Sequence, residues 1–412
     1  MNIFNKIKNS GAVVFAFVML LVSCNKLYTD PTPLAVPANP SGNNLAKTVA
    51  ATASDSLYYK LILKSGILTA TPATITDSTL RFTMFVPDNN AMKVFINAIS
   101  GGLVPLAAPD AAFAGFISST SPNYIPAATA LAIVSYNIIP QAITTASFPT
   151  SFPNIIYPSI FNPAPPLSSL LRLDLYPSKR STASYVNNVP LSSSDALASN
   201  GVIHHVPALL TPPSTYLWDR INADPDMTYF KAAILRADSG SVTPGPLQSA
   251  LLNIGANLTV FIPTDSALRA AITGQITLAL IAQGVPPATA APTAAALAST
   301  PAVFSNPALY SSLTPAIVSG LVAYHILGTR AFTVNFPTTA ATVYTLIGGP
   351  PYPGLSIQAT FTGPFVTAAT VKGAANTTAS NLLLDPTPST GKSDQNYLNG
   401  AIHKIDQALR PQ

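Results

Sequence analysis

The stretch FTMFVPDNNAM, residues 82–92, returns later in the same chain as LTVFIPTDSAL, residues 258–268. In each copy an apolar run ends at a proline, and in the first copy apolar side chains alternate onto both faces of the run. This pattern predicts a strand that is buried on both sides and stops at Pro87, since proline cannot donate to a sheet. Asp88, and Thr264 in the second copy, then stand where a helix cap is expected. The helix residues expected to face the core recur at helical spacing: Met92, Phe95, Ile96 and Ile99 in the first copy, Leu268 and Ile272 in the second.

A second phrase recurs in the same order. VSYNIIPQA, residues 134–142, corresponds to VAYHILGTRA, residues 322–331, so that Asn137 stands opposite His325. This phrase alone would carry little information. Because it follows the first phrase in both copies, it indicates that a whole structural unit is duplicated.

A third phrase closes each copy: NGVIHHVPALLTP, residues 200–212, corresponds to NGAIHKIDQALRP, residues 399–411. Asn-Gly is a tight-turn dipeptide, so each phrase predicts a turn and then a short strand, at 202–206 and 401–405. Neighbouring residues of a strand point to opposite faces, which separates the two adjacent histidines of the first copy. The matched polar residues are Asn200 with Asn399 and His204 with His403.

Three phrases in one order, twice, predict two homologous domains, at residues 47–213 and 214–412. The second copy has extra residues in two stretches, 284–307 and 348–396, whose Ala, Pro, Thr and Gly content is typical of surface loops. The apolar segment 276–298 lies partly in the first of these. Because glycine and a proline pair interrupt it, we expect a loop with one or two helical turns there rather than a membrane span.

Residues 1–23 are predicted to be a lipoprotein signal peptide. Two lysines precede a short apolar run, GAVVFAFVMLLV at residues 11–22, which is too short to span a membrane comfortably. The run leads into Leu-Val-Ser-Cys, which resembles a bacterial lipobox, and Cys24 is the only cysteine. We therefore predict a lipid on Cys24 and a Pro/Asn/Ser-rich tether over residues 24–46. The alternative is an ordinary signal peptide or anchor that happens to contain a cysteine.

Composition excludes several classes of protein. Hydrophobic residues make up 48% of the 412-residue chain, too many for a disordered protein. Charged residues make up only 8%, with 15 acidic side chains that are all aspartate. The 20 basic residues are scattered rather than clustered, so we expect no nucleic-acid partner. The 40 prolines favour short strands and irregular connections over a helical bundle.

The three phrases together resemble the fasciclin (FAS1) family. The first resembles the opening box of that family, Tyr324-His325 its YH motif, and NGVIH and NGAIH its closing box, over nearly all of residues 47–412. The resemblance implies an α+β fold of two tandem FAS1-like domains, each a wedge-shaped β-sandwich with packed helices. It also implies adhesion or matrix and carbohydrate association rather than catalysis. Asn137 and Pro207 depart from the family pattern, so a role for the YH histidine is not expected in the first domain.

No residue is predicted to be catalytic or to bind a cofactor or metal. The chain lacks a G-x-S-x-G turn, a phosphate-binding glycine loop and any glutamate for a carboxylate pair. Zinc would need three or four convergent ligands, and the histidines lack that spacing. We interpret the matched residues His204, His325, His403, Asn200 and Asn399 as structural, and the tyrosines and Trp218 as mainly core.

These observations predict a non-catalytic adhesion or extracellular binding lipoprotein, anchored in the envelope of a Bacteroidota-like bacterium. We expect the protein to be anchored in the outer membrane, and the sequence does not distinguish the periplasmic face from the cell surface. The partner is a protein or polysaccharide of unknown identity, and binding is expected in the second domain's insertions. The alternative is an accessory glycan-binding subunit of an outer-membrane import complex; an envelope hydrolase ranks third.

Overall fold

The computed structural model describes residues 42–69, 75–121, 124–180, 183–350, 352–387 and 390–411. Cys24 and the predicted signal peptide lie outside this part of the chain. In the first half the elements are α1 Leu45–Ala51, α2 Ser56–Ser65, β1 Phe82–Pro87, α3 Asn89–Ile99, α4 Asp110–Ser118, α5 Ala127–Tyr136, β2 Ile138–Ile139, β3 Tyr157–Pro158, β4 Asp174–Leu175, β5 Pro177–Arg180, β6 Ala183–Val186, β7 Val189–Pro190, β8 Ser193–Ala198 and β9 Gly201–Val206.

The second half repeats this order with longer central helices and a larger outer sheet. Its elements are α6 Leu217–Ala223, α7 Thr228–Ala237, α8 Pro246–Leu252, β10 Leu258–Pro263, α9 Asp265–Ala282, α10 Pro287–Leu297, α11 Pro315–Tyr324, β11 Ile326–Leu327, β12 Ala341–Val343, β13 Leu355–Thr362, β14 Phe365–Lys372, β15 Ser380–Asn381, β16 Gln395–Tyr397 and β17 Gly400–Ile405. Short 3₁₀ turns at Thr145–Ser147 and Thr333–Asn335 occupy matched places in the two halves.

The repeated phrases pair with one another in space. In the first half β1 lies parallel to β9 and antiparallel to β2, in the sheet order β2-β1-β9-β8. The second half has the same arrangement, β11-β10-β17-β16, with the same parallel register: Phe82 faces Gly201 as Leu258 faces Gly400. The opening and closing phrases of each copy therefore form the centre of one sheet. This confirms an α+β fold built from two similar halves.

The central strand is buried on both faces, as the alternation predicts. Phe82, Met84 and Val86 pack into one core cluster with the helices, while Phe85 packs into a second cluster on the other side of the sheet. All six residues of β10 are likewise buried. Each domain thus has two layers of core separated by its central sheet.

The caps form where the sequence places them. The Asp88 carboxylate accepts a hydrogen bond from the Ala91 backbone N–H at 2.8 Å, and Thr264 Oγ1 accepts one from Ala267 at 3.2 Å. Met92 and Ile96 are buried in the first copy, as are Leu268 and Ile272 in the second, while Phe95 packs only partly. The prediction for Ile99 is wrong: it is the last residue of α3 and is 49% exposed, while Ile96 in the same turn is buried.

Both stretches predicted to be loops are structured. Residues 287–297 form α10, which packs along α9, and Ala290, Ala294 and Ala298 are fully buried. Alanine favours helix and its small side chain allows close packing, and this outweighs the internal Pro292. Val303 and Phe304, just beyond α10, are also core residues. Removal of residues 284–307 would therefore take away part of the core, not a dispensable loop.

The stretch 348–396 contains the longest strands in the described part of the chain. Strands β13 and β14 form a hairpin of eight residues each, and Leu355, Ile357, Ala359, Ala369 and Val371 are buried on its inner face. The prediction of a loop failed because glycine and proline flank the strands while the alternating pattern lies between them. Within the described ranges, no helix has the length and apolar character needed to cross a bilayer.

Candidate functional site

Asn200 and Asn399 lie in the turns of the closing hairpins, β8–β9 and β16–β17, and each binds the first residue of a helix. Asn200 Oδ1 accepts from the Leu45 backbone N–H at 2.8 Å, the first residue of α1, and its amide donates to the Ile75 carbonyl at 2.9 Å. Asn399 Oδ1 makes the equivalent bond to Leu217, the first residue of α6, at 3.0 Å. Both side chains are fully buried, so their amides are committed to the fold.

Gly201 and Gly400 follow these asparagines as first strand residues rather than as turn residues. A Cβ at Gly201 would collide with the Phe82 backbone, and one at Gly400 with the Leu258 backbone and the Leu217 side chain. The glycine of the Asn-Gly pair is therefore required by the close approach of β9 to β1, and of β17 to β10.

His204 and His403 are buried in matched hydrogen-bond settings. His204 Nε2 donates to the Ile143 carbonyl at 2.9 Å, and its Nδ1 accepts from the Asp195 N–H at 3.2 Å. His403 does the same with Ala331 at 3.0 Å and Asp394 at 3.1 Å. Burial lowers the pKa of both imidazoles, which fits these neutral tautomers. Neither ring has a nitrogen left for a metal or a substrate.

His325 is fully buried as well, and Asn137 replaces it in the first domain. His325 Nδ1 donates to the Leu321 carbonyl at 2.8 Å, and Nε2 accepts from the Leu409 N–H at 2.9 Å. Asn137 keeps the bond to the preceding helical turn and donates also to the Leu210 carbonyl at 2.8 Å. Its Oδ1 has no partner within the described residues. The YH histidine thus ties the end of a helix to the C-terminal segment, and asparagine does so less completely.

Acid should destabilise the second domain through His325. Burial lowers the pKa of His325 from 6.5 to about 4, so between these values the unfolded chain binds a proton that the folded chain does not. Stability is therefore intact above about pH 6.5 and falls by about 3 kcal/mol as the pH drops towards 4. The measurement is urea unfolding at several pH values. His325→Asn, which copies the first domain, should have a shallower slope against pH; an unchanged slope would contradict this assignment.

The second departure from the family pattern also has a structural reason. The Asp406 carboxylate accepts from the Asn381 backbone N–H at 2.8 Å and from Ser380 Oγ at 2.9 Å, and so holds β15 beside the end of β17. Pro207 stands at this place in the first half and supplies no carboxylate to β7, which pairs with β6 as β15 pairs with β14. Asp406 is therefore a structural residue of the larger outer sheet.

Asp195 and Asp394 complete the two histidine settings, and the sequence analysis did not identify them. Both have positive φ, 64° and 55°; Asp195 lies at the irregular part of β8, and Asp394 directly precedes β16. The Asp394 carboxylate accepts from Thr333 N at 2.6 Å and Thr333 Oγ1 at 2.7 Å. Asp195 binds Thr145 N at 2.8 Å and also the Thr145 hydroxyl. We call each Asp–Thr–His set a bracket, since it clamps the 3₁₀ turn onto the central sheet.

The sequence does contain signals for the brackets. Ser-Asp precedes Asn-Gly at the same distance in both copies, at 194–201 and 393–400. The run T-x-x-F-P-T likewise occurs at 145–150 and 333–338. These matches are short and mostly polar, so they are visible only after the sheet register aligns the copies.

A buried cation joins the two halves. Arg330 is 3% exposed, and its guanidinium donates to Asn257 Oδ1 at 2.9 Å, Asn396 Oδ1 at 2.8 Å and the Leu398 carbonyl at 3.1 Å. It lies 5.5 Å from the ring centroid of Tyr176, a first-domain residue whose hydroxyl donates to Asn257 at 2.7 Å. One residue of the second domain therefore organises a polar contact with the first.

Asn335 supplies a second group of contacts between the halves. Its Oδ1 accepts from Asn154 at 2.8 Å, its amide donates to Ser178 Oγ at 2.7 Å, and its carbonyl accepts from Arg180 Nη2 at 2.6 Å. Tyr185 OH adds a bond to the Pro364 carbonyl at 2.7 Å. We predict that residues 47–213 and 214–412 can each fold alone, although separation would expose these buried polar groups.

An open cleft of about 920 Å³ lies between the two halves beside these contacts. Its walls come from the F-P-T runs of both copies, from the end of β5 and from the hairpin of β13 and β14. Lys179 and Arg180 are its charged lining residues, and none of the described lining residues is acidic. Across the described residues no group of three or more His, Cys or acidic side chains could hold a metal ion. This cleft is the candidate functional site.

Comparison with known proteins assigns the fold to a family. Residues 57–212 match the family model described as Fasciclin domain, so this part of the chain is a fasciclin domain. The second half repeats its sheet order and register, so a tandem of two fasciclin-type domains fits the chain. Fasciclin domains are linked to cell adhesion or extracellular binding and are generally not enzymes.

Among solved structures, a FAS1 domain pair from the insect cell adhesion molecule Fasciclin I is similar to the chain. It is 14% identical, with 86% of this chain and 95% of that chain covered and a TM-score of 0.32. No curated protein matches the chain significantly.

Proposed function

We propose that the protein is a non-catalytic binding lipoprotein, anchored to the bacterial outer membrane through Cys24. The observation that supports the non-catalytic part of this proposal is the use of the motif residues: all three matched histidines and both matched asparagines are buried and bonded to backbone. Residues in that state do not reach a substrate. Recognition then falls to exposed surface, and the cleft between the two domains is a concave part of it with polar lining.

The second candidate function is that of an accessory glycan-binding subunit of an outer-membrane import complex. The hydroxyl-rich cleft favours it, because polysaccharide capture requires such a surface beside a membrane. A transporter gene of the TonB-dependent class next to this gene would favour the import role over adhesion.

The proposed function is tested with the mature protein extracted from membranes in detergent. Its intact mass should begin at Cys24 with acyl chains added, and Cys24→Ala should leave the membrane fraction. The extracted protein should bind one or more members of a glycan and cell-surface protein array saturably and release them unchanged. Turnover of a screened glycan or ester that persists through repurification would contradict the non-catalytic proposal. Firm membrane retention of Cys24→Ala would contradict the lipid anchor.

A further inference from the structure

We infer that the inter-domain cleft binds an acidic oligosaccharide, one that carries carboxylate or sulfate groups. This inference rests on the proposed binding function and names its ligand class. The cleft is open to solvent and is about 920 Å³ in volume, which is large enough for a few sugar rings. Both domains contribute lining residues, so the site exists only in the paired arrangement.

The charge of the cleft is positive and uncompensated. The Lys179 ammonium makes no hydrogen bond or ion pair with the described residues, although the side chain is only half-exposed. Arg180 donates from Nη2 to the Asn335 carbonyl at 2.6 Å and from Nη1 to the Lys179 carbonyl at 2.9 Å. These bonds hold the guanidinium at the wall and leave other N–H groups of its planar fork unused. Two cations, of which Arg180 is held in place, without a carboxylate among the described lining residues favour an anionic ligand.

The rest of the lining favours a sugar over a polypeptide or nucleic acid. Five exposed hydroxyls face the cleft region and make no hydrogen bond with described residues: Thr150, Ser151, Thr338, Thr339 and Thr360. Hydroxyls of this kind can both donate to and accept from sugar hydroxyls. Phe152 and Phe361 are half-buried and offer apolar ring surface to the C–H face of a sugar. A polyanion without hydroxyls would use only the two cations.

The brackets make the walls of the cleft rigid. Phe148 and Phe336 follow the two clamped turns and pack against His204 and His403, with ring centroids 5.3 Å and 5.9 Å apart. A binding surface held by buried contacts loses little conformational entropy when a ligand arrives.

The two walls are matched in backbone but not in charge. The Lys179 N–H donates to the Pro149 carbonyl at 2.8 Å, as the Ala359 N–H donates to the Pro337 carbonyl at 2.9 Å. Lys179 and Arg180 therefore occupy the places that Ala359 and Thr360 occupy in the second copy. The charge is thus confined to the first-domain wall, and the second copy supplies natural neutral replacements.

The test compares full-length variants in calorimetric titrations with tetragalacturonate, a sulfated tetrasaccharide and neutral maltotetraose. The intact protein should bind at least one acidic probe more tightly than maltotetraose, and added salt should weaken that binding. Lys179→Ala with Arg180→Thr, which copies the second domain, should weaken it about tenfold or more. Lys179→Ala alone removes an ammonium that makes no hydrogen bond or ion pair with the described residues, so its smaller expected loss does not depend on folding. Lys60→Ala with Arg81→Ala removes the same charge outside the cleft and should leave affinity unchanged.

The possible outcomes separate this inference from the proposed function. Equal affinity of the cleft variants and the intact protein would overturn the inference, as would a lack of preference for either acidic probe. Tighter binding of poly-aspartate or single-stranded DNA than of the acidic glycans would also overturn it. In each case a ligand found on the array without turnover leaves the proposed function standing. Turnover would contradict the proposed function whatever the cleft variants bind.

Discussion

Replacement of Arg330 by alanine should destabilise the protein by about 3–5 kcal/mol, because several charge-assisted hydrogen bonds and a cation–π contact are lost together. The Asn396 side chain and the Leu398 carbonyl would lose their guanidinium donors in the interior. Tyr176 would keep its bond to Asn257 but lose the cation near its ring. Urea unfolding followed by Trp218 fluorescence measures this change, since that tryptophan is buried in the second domain.

Two variants define the specificity of that effect. Arg330→Lys retains the charge but not the planar fork, so its cost should be smaller. Arg269→Ala removes an exposed arginine of the same domain and should change the free energy of unfolding by no more than about 0.5 kcal/mol. If Arg330→Ala costs no more than Arg269→Ala, Arg330 does not hold the two halves together.

Loss of the Asp394 carboxylate should have the second-largest effect. Asp394→Ala removes both bonds to Thr333, leaves a buried N–H unpaired and puts alanine at a φ of 55°, where a Cβ is strained. We expect a cost of about 3–4 kcal/mol in thermal or urea unfolding.

The repeat offers a matched comparison for this bracket. Asp195 makes the equivalent bonds, but 36% of its side chain is exposed, so water can partly replace the carboxylate. Asp195→Ala should therefore cost clearly less than Asp394→Ala. Asp394→Asn should also cost less, because asparagine tolerates positive φ and keeps one acceptor. A cost for Asp195→Ala that equals or exceeds the cost for Asp394→Ala would show that burial does not set the strength of the bracket.

Local patterns sufficed where a residue's environment follows from its near neighbours in sequence. The strand that stops at Pro87, the caps at Asp88 and Thr264 and the two-faced burial of β1 depend on a few consecutive residues. Each phrase alone is a weak signal. Because the three phrases occur in the same order in both halves, together they predict the same fold for both.

The sequence by itself determined the duplication, the α+β class and the central strands, since alternation, proline and capping residues act within a few positions of themselves. Only the tertiary structure decided what depends on distant contacts. Gly201 is needed because β1 passes close by, α10 is a packed helix because α9 covers its alanines, and the bracket aspartates matter because a distant 3₁₀ turn lies against them. The cleft belongs to this second group as well. Its two cations come from the first half of the chain and its hydroxyls from both halves, and no local pattern indicates that they meet.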